Sequence, residues 1–435
     1  MNTARNTSDV SAAEPNCAQP IGPTLAPLVV LAAVLANFGL CFVNTNVFKV
    51  NPSVVISCEI VLIAMAISLI WYRGAVLYIV FAALSVYFFS LMLVRTDFDP
   101  KIIRDLLIPF AFFFLGNYLG SLRSCDRLIT VLILLTLGSA LFELLALDTY
   151  LHYFDVIRYY VARGTTDPHV VAEGGLIIKG SGTAGLYVNG TRFQDRTLLP
   201  FLGSHRVSGI FLEPVSVGNF GAIAFAWVLL RDRGRIWPLV AKTVAIAIIL
   251  VLADARFGFY FCIFTLVLYL AVPVIRPTIL FLAPFLVMIG LVAYAGGHWQ
   301  EAPSSELAGR LMSAADSLVA LDPWEVLGLR INDGFINSYS GDSGYGYVLG
   351  KVGLVGLIAI WALFVYAPVF DRDAWRFKVF VAFYAVSLLC ISASLFTIKT
   401  AALLWFLHGT LNSHARNHTR ETTGATFRSL SSASP

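Results

Sequence analysis

An all-α, polytopic membrane protein with about twelve transmembrane helices is the fold class this chain predicts, and three observations predict it. Of its 435 residues, 58% are hydrophobic and 13% charged, with a mean hydropathy of +0.78. Soluble domains carry about twice that charged share. Apolar runs of the ~20 residues that span a bilayer as helix recur along nearly the whole sequence. Lys and Arg alternate between rich and poor loops, as cytoplasmic and outer loops do. The chain therefore reads as one membrane domain over 25–412, between polar tails at 1–24 and 413–435.

Candidate spans lie near 25–43, 54–72, 75–94, 102–120, 128–147, 207–230, 238–253, 257–275, 278–295, 345–370, 378–394 and 400–412. The last two are short and Lys399 interrupts them, so the series is eleven or twelve long. The run from Leu25 lacks a small-residue cleavage site and is long enough to cross, which predicts an uncleaved helix. With the N-terminus inside, inside loops carry Arg73, Arg123, Arg127, Arg231, Arg233, Arg235, Arg276, Arg372, Arg376 and Lys378. The short outside loops hold only Lys49, Arg95, Lys101, Arg256 and Lys399. Both termini are then cytoplasmic. A net charge of +4 is too small to suggest nucleic acid as a partner. The six cysteines avoid both long loops, so no disulfide framework and no cysteine-based metal site is expected.

Two outer loops, at about 148–206 and 296–344, are too long to be connectors. The first opens on Tyr150, His152, Tyr153, Phe154, Tyr159 and Tyr160, the aromatic texture of an interfacial helix. Its glycine-rich middle, Gly174 to Gly190, lacks the Gly-Lys-Ser/Thr ending of a phosphate-cradling loop. The second holds an expected amphipathic helix from Ser304 to Leu321, with Leu307, Leu311 and Leu318 on one face.

Ionisable groups inside spans are costly and mark functional sites by default. Glu59, Arg104, Asp105, Glu143, Arg206, Glu213, Asp254, Arg256 and Lys351 all fall within about two turns of the outer helix ends. Only Lys242 falls on the cytoplasmic side. A transporter gathers such groups near the midplane; a cluster roofed by two outer loops suits a site that handles something polar at the outer face. The bland reading of each residue is a paired or snorkelling charge.

The sharpest local feature is Arg206-Val-Ser-Gly209-Ile-Phe-Leu-Glu213-Pro214-Val-Ser216. Spacings of three and four would put Arg206, Gly209, Glu213 and Ser216 on one helical face, with a kink at Pro214. Arginine suits phosphate, because its planar fork donates two parallel hydrogen bonds and keeps its charge. Asp254-Ala-Arg256 opens the eighth span, and Asp342-Ser-Gly-Tyr345 precedes Gly353-Leu-Val-Gly356 on the tenth. A carboxylate at such a re-entry point can serve as a general base. Asp97-Phe-Asp99 is a weak candidate metal pair, and no metal or other cofactor is expected.

These pieces resemble, in order and spacing, the Wzy-type polysaccharide polymerase and O-antigen ligase superfamily. The matching residues are Arg206, Gly209 and Pro214; Arg256; Arg310, Pro323 and Gly328; and Asp342, Tyr345, Gly353 and Gly356, together covering roughly 200–360. Asp342 stands where ligases carry histidine, and Glu213 precedes Pro214 where many relatives carry asparagine. Both departures favour a polymerase, and the texture is similar to exopolysaccharide polymerases of the xanthan type. The resemblance implies a bacterial inner-membrane glycosyltransferase that moves a growing glycan from undecaprenyl diphosphate to a lipid-linked repeat unit at the periplasmic face. It implies Asp342 or Glu213 as base, and Arg206, Arg256, Arg310, Gly209 and Tyr345 as substrate-binding residues. The partners it implies are the undecaprenyl-diphosphate-linked oligosaccharide and the bilayer, with a flippase and a chain-length regulator of the same pathway as candidates. The competing expectation is a transporter or flippase of a lipid-linked or anionic solute.

Overall fold

The computed structural model describes residues 22–95, 101–165, 205–297, 307–330 and 343–431. Every regular element among them is helical. The helices are α1 (Gly22–Asn46), α2 (Pro52–Ile70), α3 (Ala75–Val94), α4 (Lys101–Leu119) and α5 (Leu122–Leu145). Two short ones follow, α6 (Leu147–Tyr153) and α7 (Val156–Ala162). Then come α8 (Pro214–Arg231), α9 (Ile236–Leu252), α10 (Arg256–Ala271) and α11 (Pro277–Gly297). The chain ends with α12 (Leu307–Val319), α13 (Pro323–Val326), α14 (Gly344–Tyr366), α15 (Arg372–Leu389) and α16 (Ile398–Ser431).

Eight of these, α1–α5, α8, α11 and α14, are long and apolar enough to cross a membrane. Helices α9 and α10 are apolar but shorter. Helix α15 opens on Arg372, Asp373 and Arg376, and α16 runs on into a polar tail, so neither is apolar throughout. Each of the twelve expected spans overlaps one of these helices. The chain is a multi-pass helical membrane protein.

Close crossings hold the bundle together. Helix α4 runs along α16 through Gly116 and Gly409; a Cβ at Gly116 would lie 2.1 Å from the Phe406 carbonyl oxygen, and one at Gly409 2.0 Å from that of Phe113. Helices α8 and α10 touch at Gly218 and Gly258, where a Cβ on Gly258 would lie 2.4 Å from the Gly218 oxygen. Small residues let backbones approach in lipid, where no hydrophobic force presses helices together. By contrast α3 buries only Leu77, Phe88 and Leu91 of its side chains and lies at the margin. Its far end is anchored by Arg95, whose guanidinium donates to the Gly328 and Lys351 carbonyls at 2.6 and 2.9 Å.

The two ends of the bundle differ in chemistry. At one end, conventional pairs bridge neighbouring helices: Arg231 to Asp126 at 3.1 Å, Lys242 to Asp232 at 2.8 Å, and Arg233 to Asp373 at 3.2 Å. The other end, which the Lys/Arg distribution predicts to face outward, gathers Glu59, Arg104, Asp105, Glu143, Arg206, Glu213 and Lys399, whose contacts build the candidate site.

Candidate functional site

Two ion-pair groups tie five helices at the charged end. Arg104 of α4 reaches Glu59 of α2 at 2.7 Å and its own neighbour Asp105 at 2.7 Å. The second Asp105 oxygen accepts from the Tyr347 hydroxyl of α14, and the Lys101 ammonium lies 5.4 Å from the centre of the Tyr347 ring. The other group joins α16 to the start of α8: Lys399 pairs with Glu213 and donates to the Phe211 carbonyl at 3.2 Å. Ser216 donates to the same Glu213 oxygen. Charges this far from water persist only when paired and hydrogen-bonded.

Arg163 follows α7 within electrostatic reach of both groups. Burial alone would lower its pKa, yet Tyr159, Tyr160, Glu59 and Glu213 together hold it above the ordinary arginine value. Its position is fixed from below. Tyr159 donates to Asn37 of α1 at 2.7 Å, and Gly164 packs on Pro52, which opens α2. The Arg163 side chain forms no hydrogen bond or ion pair with a described residue. The sequence reading missed it because a lone arginine after an aromatic stretch carries no spacing signal. It also took Lys399 for an interruption of the last span.

The segment before α8 is not the helix that the Arg206-Gly209-Glu213-Ser216 spacing predicts. Residues 209–211 form a 3-10 turn, Leu212 takes a left-handed φ of 62°, and the α-helix begins at Pro214. Proline suits a first helical position because its missing N–H would have had no partner there, so Pro214 starts the helix instead of kinking it. Glu143, fully buried at the end of α5, organises this segment by accepting from the Ser208 and Gly209 amides at 2.9 and 2.6 Å and pairing with His205 at 3.0 Å. Gly209 has φ +52°, and its carbonyl accepts from the buried Tyr150 hydroxyl at 3.0 Å.

Arg206 thereby precedes a span without opening one. Its Nε and Nη2 donate to the carbonyls of Ala253 and Asp254 at 3.2 and 3.0 Å, just past the end of α9. Part of its fork thus closes that helix end, two residues from Arg256. Arg256 is the first residue of α10, half-buried, and its side chain has no partner among the described residues. Arg310, half-buried on α12, is likewise unpartnered among them. Tyr345 is fully buried and donates to the Val386 carbonyl at 3.2 Å, which makes it a packing residue between α14 and α15. Gly353 interrupts α14 with φ +75° and lies against Gly328, where a Cβ would sit 2.9 Å from the Gly328 Cα. Asp342, Asp97, Asp99, Gly174–Gly190 and the Ser304 start of the amphipathic helix lie outside the described residues. No group of metal-ligating side chains occurs among the described residues.

Below the Asp105–Tyr347 contact runs an apolar groove of about 560 Å3 between α3, α4, α14, α15 and α16. Leu106, Val348 and Val352 line its top, next in sequence to Asp105, Tyr347 and Lys351; Asn117, Ala367, Pro368 and Asn412 line its bottom. Val76 of α3 and Leu363 of α14, both exposed, mark where it opens sideways. Charged side chains thus stand above the groove and apolar ones line most of it.

No protein-family model, curated protein or solved structure matches the chain.

Proposed function

We propose that the protein is a glycosyltransferase of the inner membrane that polymerises exopolysaccharide repeat units at the periplasmic face. In this reading it transfers a growing glycan from undecaprenyl diphosphate to a lipid-linked repeat unit. The observation that carries the reading is a charged cluster stacked directly on an apolar groove that opens sideways. A diphosphate on a long hydrocarbon chain has that same division of charge and grease.

The acceptor hydroxyl oxygen forms the new bond to the donor's anomeric carbon, the bond from that carbon to the diphosphate oxygen breaks, and undecaprenyl diphosphate leaves. The hydroxyl proton passes to a carboxylate. Glu213 is engaged by Lys399 and Ser216, so we assign the proton to Asp342 and the fixing of Lys399 to Glu213. Negative charge grows on the leaving diphosphate, and preorganised cations stabilise it best. Arg256 and Arg310, which have no partner among the described residues, and Arg163, which stands within electrostatic reach of Glu59 and Glu213, are assigned that work, with Arg206 holding the turn that carries Arg256.

Purified protein given synthetic lipid-linked repeats should produce a ladder of polymers and free undecaprenyl diphosphate; absence of any ladder would remove the assignment. A second reading, a transporter or flippase of a lipid-linked or anionic solute, is favoured by one observation: the groove reaches from one end of the bundle to the other. A deletion strain separates the two. Loss of a polymerase leaves single repeats accumulating on the outer leaflet, whereas loss of a transporter traps them on the cytoplasmic one.

A further inference from the structure

The groove is sealed at the end where a substrate's diphosphate would stand. Its lining there is buried: Leu106, Val348, Val352, Leu389 and Leu395. Its exposed lining residues, Val76, Leu363, Pro368 and Phe370, all belong to the opposite end. Phe88 and Leu91 of α3 make the seal, packing in one buried cluster with Ile102, Leu106 and Val352. A lipid whose polar head stands at the charged cluster cannot thread its chain into a closed tube. The chain has to enter sideways, and α3, which buries only Leu77, Phe88 and Leu91, is the wall that yields most easily.

The bonds that fasten α3 are also replaceable. Helix α14 is broken at Gly353, where φ is +75°. The Tyr87 hydroxyl sits in the break, donating to the Val352 carbonyl and accepting from the Gly356 amide. Those two backbone groups would bond to each other in an unbroken helix. Arg95 takes the Lys351 carbonyl in the same way, at 2.9 Å, and the Gly328 carbonyl at 2.6 Å. When α3 withdraws, α14 can close its own ladder across residues 352–356, so these backbone bonds are exchanged and not lost. Such an exchange brings two arrangements close in free energy, as a switching element requires.

We infer that the outer half of α3, from Leu84 to Arg95, is a side gate to the groove, latched on α14 by Tyr87 and Arg95. Closed, it separates the charged end from the hydrocarbon slot. Opened, it lets a polyprenyl chain slide in between Phe88 and Val352 while its phosphate stays at the charged end. The chain fills the space that the two helices vacate, so it stabilises the open arrangement alone. A ligand shifts an equilibrium only by such a difference. The choice of a polyprenyl carrier as the guest rests on the polymerase reading; the gate itself does not.

The test is the distance between two spin labels on the full-length protein, attached through Val86→p-acetylphenylalanine and Leu134→p-acetylphenylalanine, exposed positions on α3 and α5. Pulsed electron spin resonance should give one dominant distance in detergent alone. Undecaprenyl phosphate should add a second population, longer by about 4–5 Å, the width of one hydrocarbon chain. Two changes should each raise that population about fivefold without lipid, the effect of one net hydrogen bond. Tyr87→Phe removes the hydroxyl from the break. Gly353→Ala penalises the positive φ and, in the closed form, puts a Cβ 2.4 Å from the Leu327 carbonyl oxygen. Should either variant misfold, the response of the labelled parent protein to undecaprenyl phosphate decides alone. One distance under every condition would overturn the gate, whether or not polymer forms. An equal response to phosphatidylglycerol would overturn its assignment to a polyprenyl chain. A second population with no polymer from any repeat would keep the gate and remove the polymerase reading.

Discussion

Arg206 and Arg256 carry the same charge, yet the structure gives them different work. Arg206 holds two carbonyls past the end of α9, and Arg256 projects from the start of α10 without a described partner. Lysine keeps the charge and loses the planar fork, so neither change to lysine is conservative. Arg256→Lys is expected to slow polymer formation ~10²–10³-fold, the usual cost of losing one donor to a developing oxyanion, while thermal unfolding in detergent stays put. Arg206→Lys should lower both rate and melting temperature. If both variants polymerise normally at unchanged protein levels, the arginines are interfacial anchors and the diphosphate clamp is wrong. Glu213 and Lys399 allow a cleaner measurement, because the pair is nearly dry on the lysine side, 3% exposed. Breaking a buried pair from one side costs about 3–5 kcal/mol, but removing both charges costs much less. Glu213→Gln should therefore destabilise more than Glu213→Gln with Lys399→Met, a double-mutant cycle readable by thermal unfolding. Most of this was illegible in the sequence. The charges themselves could be read, because an ionisable residue in an apolar run stands out. Their partners could not, because Glu59 meets Arg104 and Glu213 meets Lys399 across sequence distances that no local pattern records.

Helices were the most legible layer, since a run of apolar residues long enough to cross lipid leaves few alternatives. Each of the twelve expected spans overlaps a helix, and eight helices are long and apolar enough to cross; the sixth expected span starts as a helix only at Pro214, and the last helix runs on to Ser431. The failure at 206–213 has a local cause. Spacings of three and four suggested a helix, but the positive φ values at Gly209 and Leu212 break it, and Glu143 binds the freed amides. Glu143 comes from another helix, so only the fold reveals it. The α4–α16 crossing supplies a prediction at this scale. A methyl group at Gly409 would fall 2.0 Å from a backbone oxygen, whereas one at Gly138 of α5 would meet nothing within 4 Å. Gly409→Ala must push α4 and α16 apart, at about 1–3 kcal/mol or more, and should lower the unfolding temperature markedly. Gly138→Ala gains helix propensity, up to ~1 kcal/mol, and should leave it unchanged or raised. Equal behaviour of the two would mean that the crossing is looser than these distances imply.

At the scale of the whole molecule, everything proposed for the site depends on which end of the bundle faces outward. Because the reading relies on arginines for the diphosphate, polymerisation by purified protein should survive EDTA. Loss of activity restored by magnesium or manganese would move attention to Asp97 and Asp99. Orientation itself is testable without any substrate. The contacts put Glu59, Arg104, Glu143, Arg206, Glu213 and Lys399 at one end and the Asp126–Arg231, Asp232–Lys242 and Arg233–Asp373 pairs at the other. Loops at the second end are dense in Lys and Arg, and dense loops stay in the cytoplasm. Reporter fusions at about residues 175 and 320 should therefore read as periplasmic, and fusions at 233 and 374 as cytoplasmic. Arg233 and Asp373 make the check strict, because they are 3.2 Å apart and must report the same side. A cytoplasmic signal from either long loop would put the charged cluster in the cytoplasmic leaflet. A periplasmic polymerase could not work there, and the transporter reading would take its place.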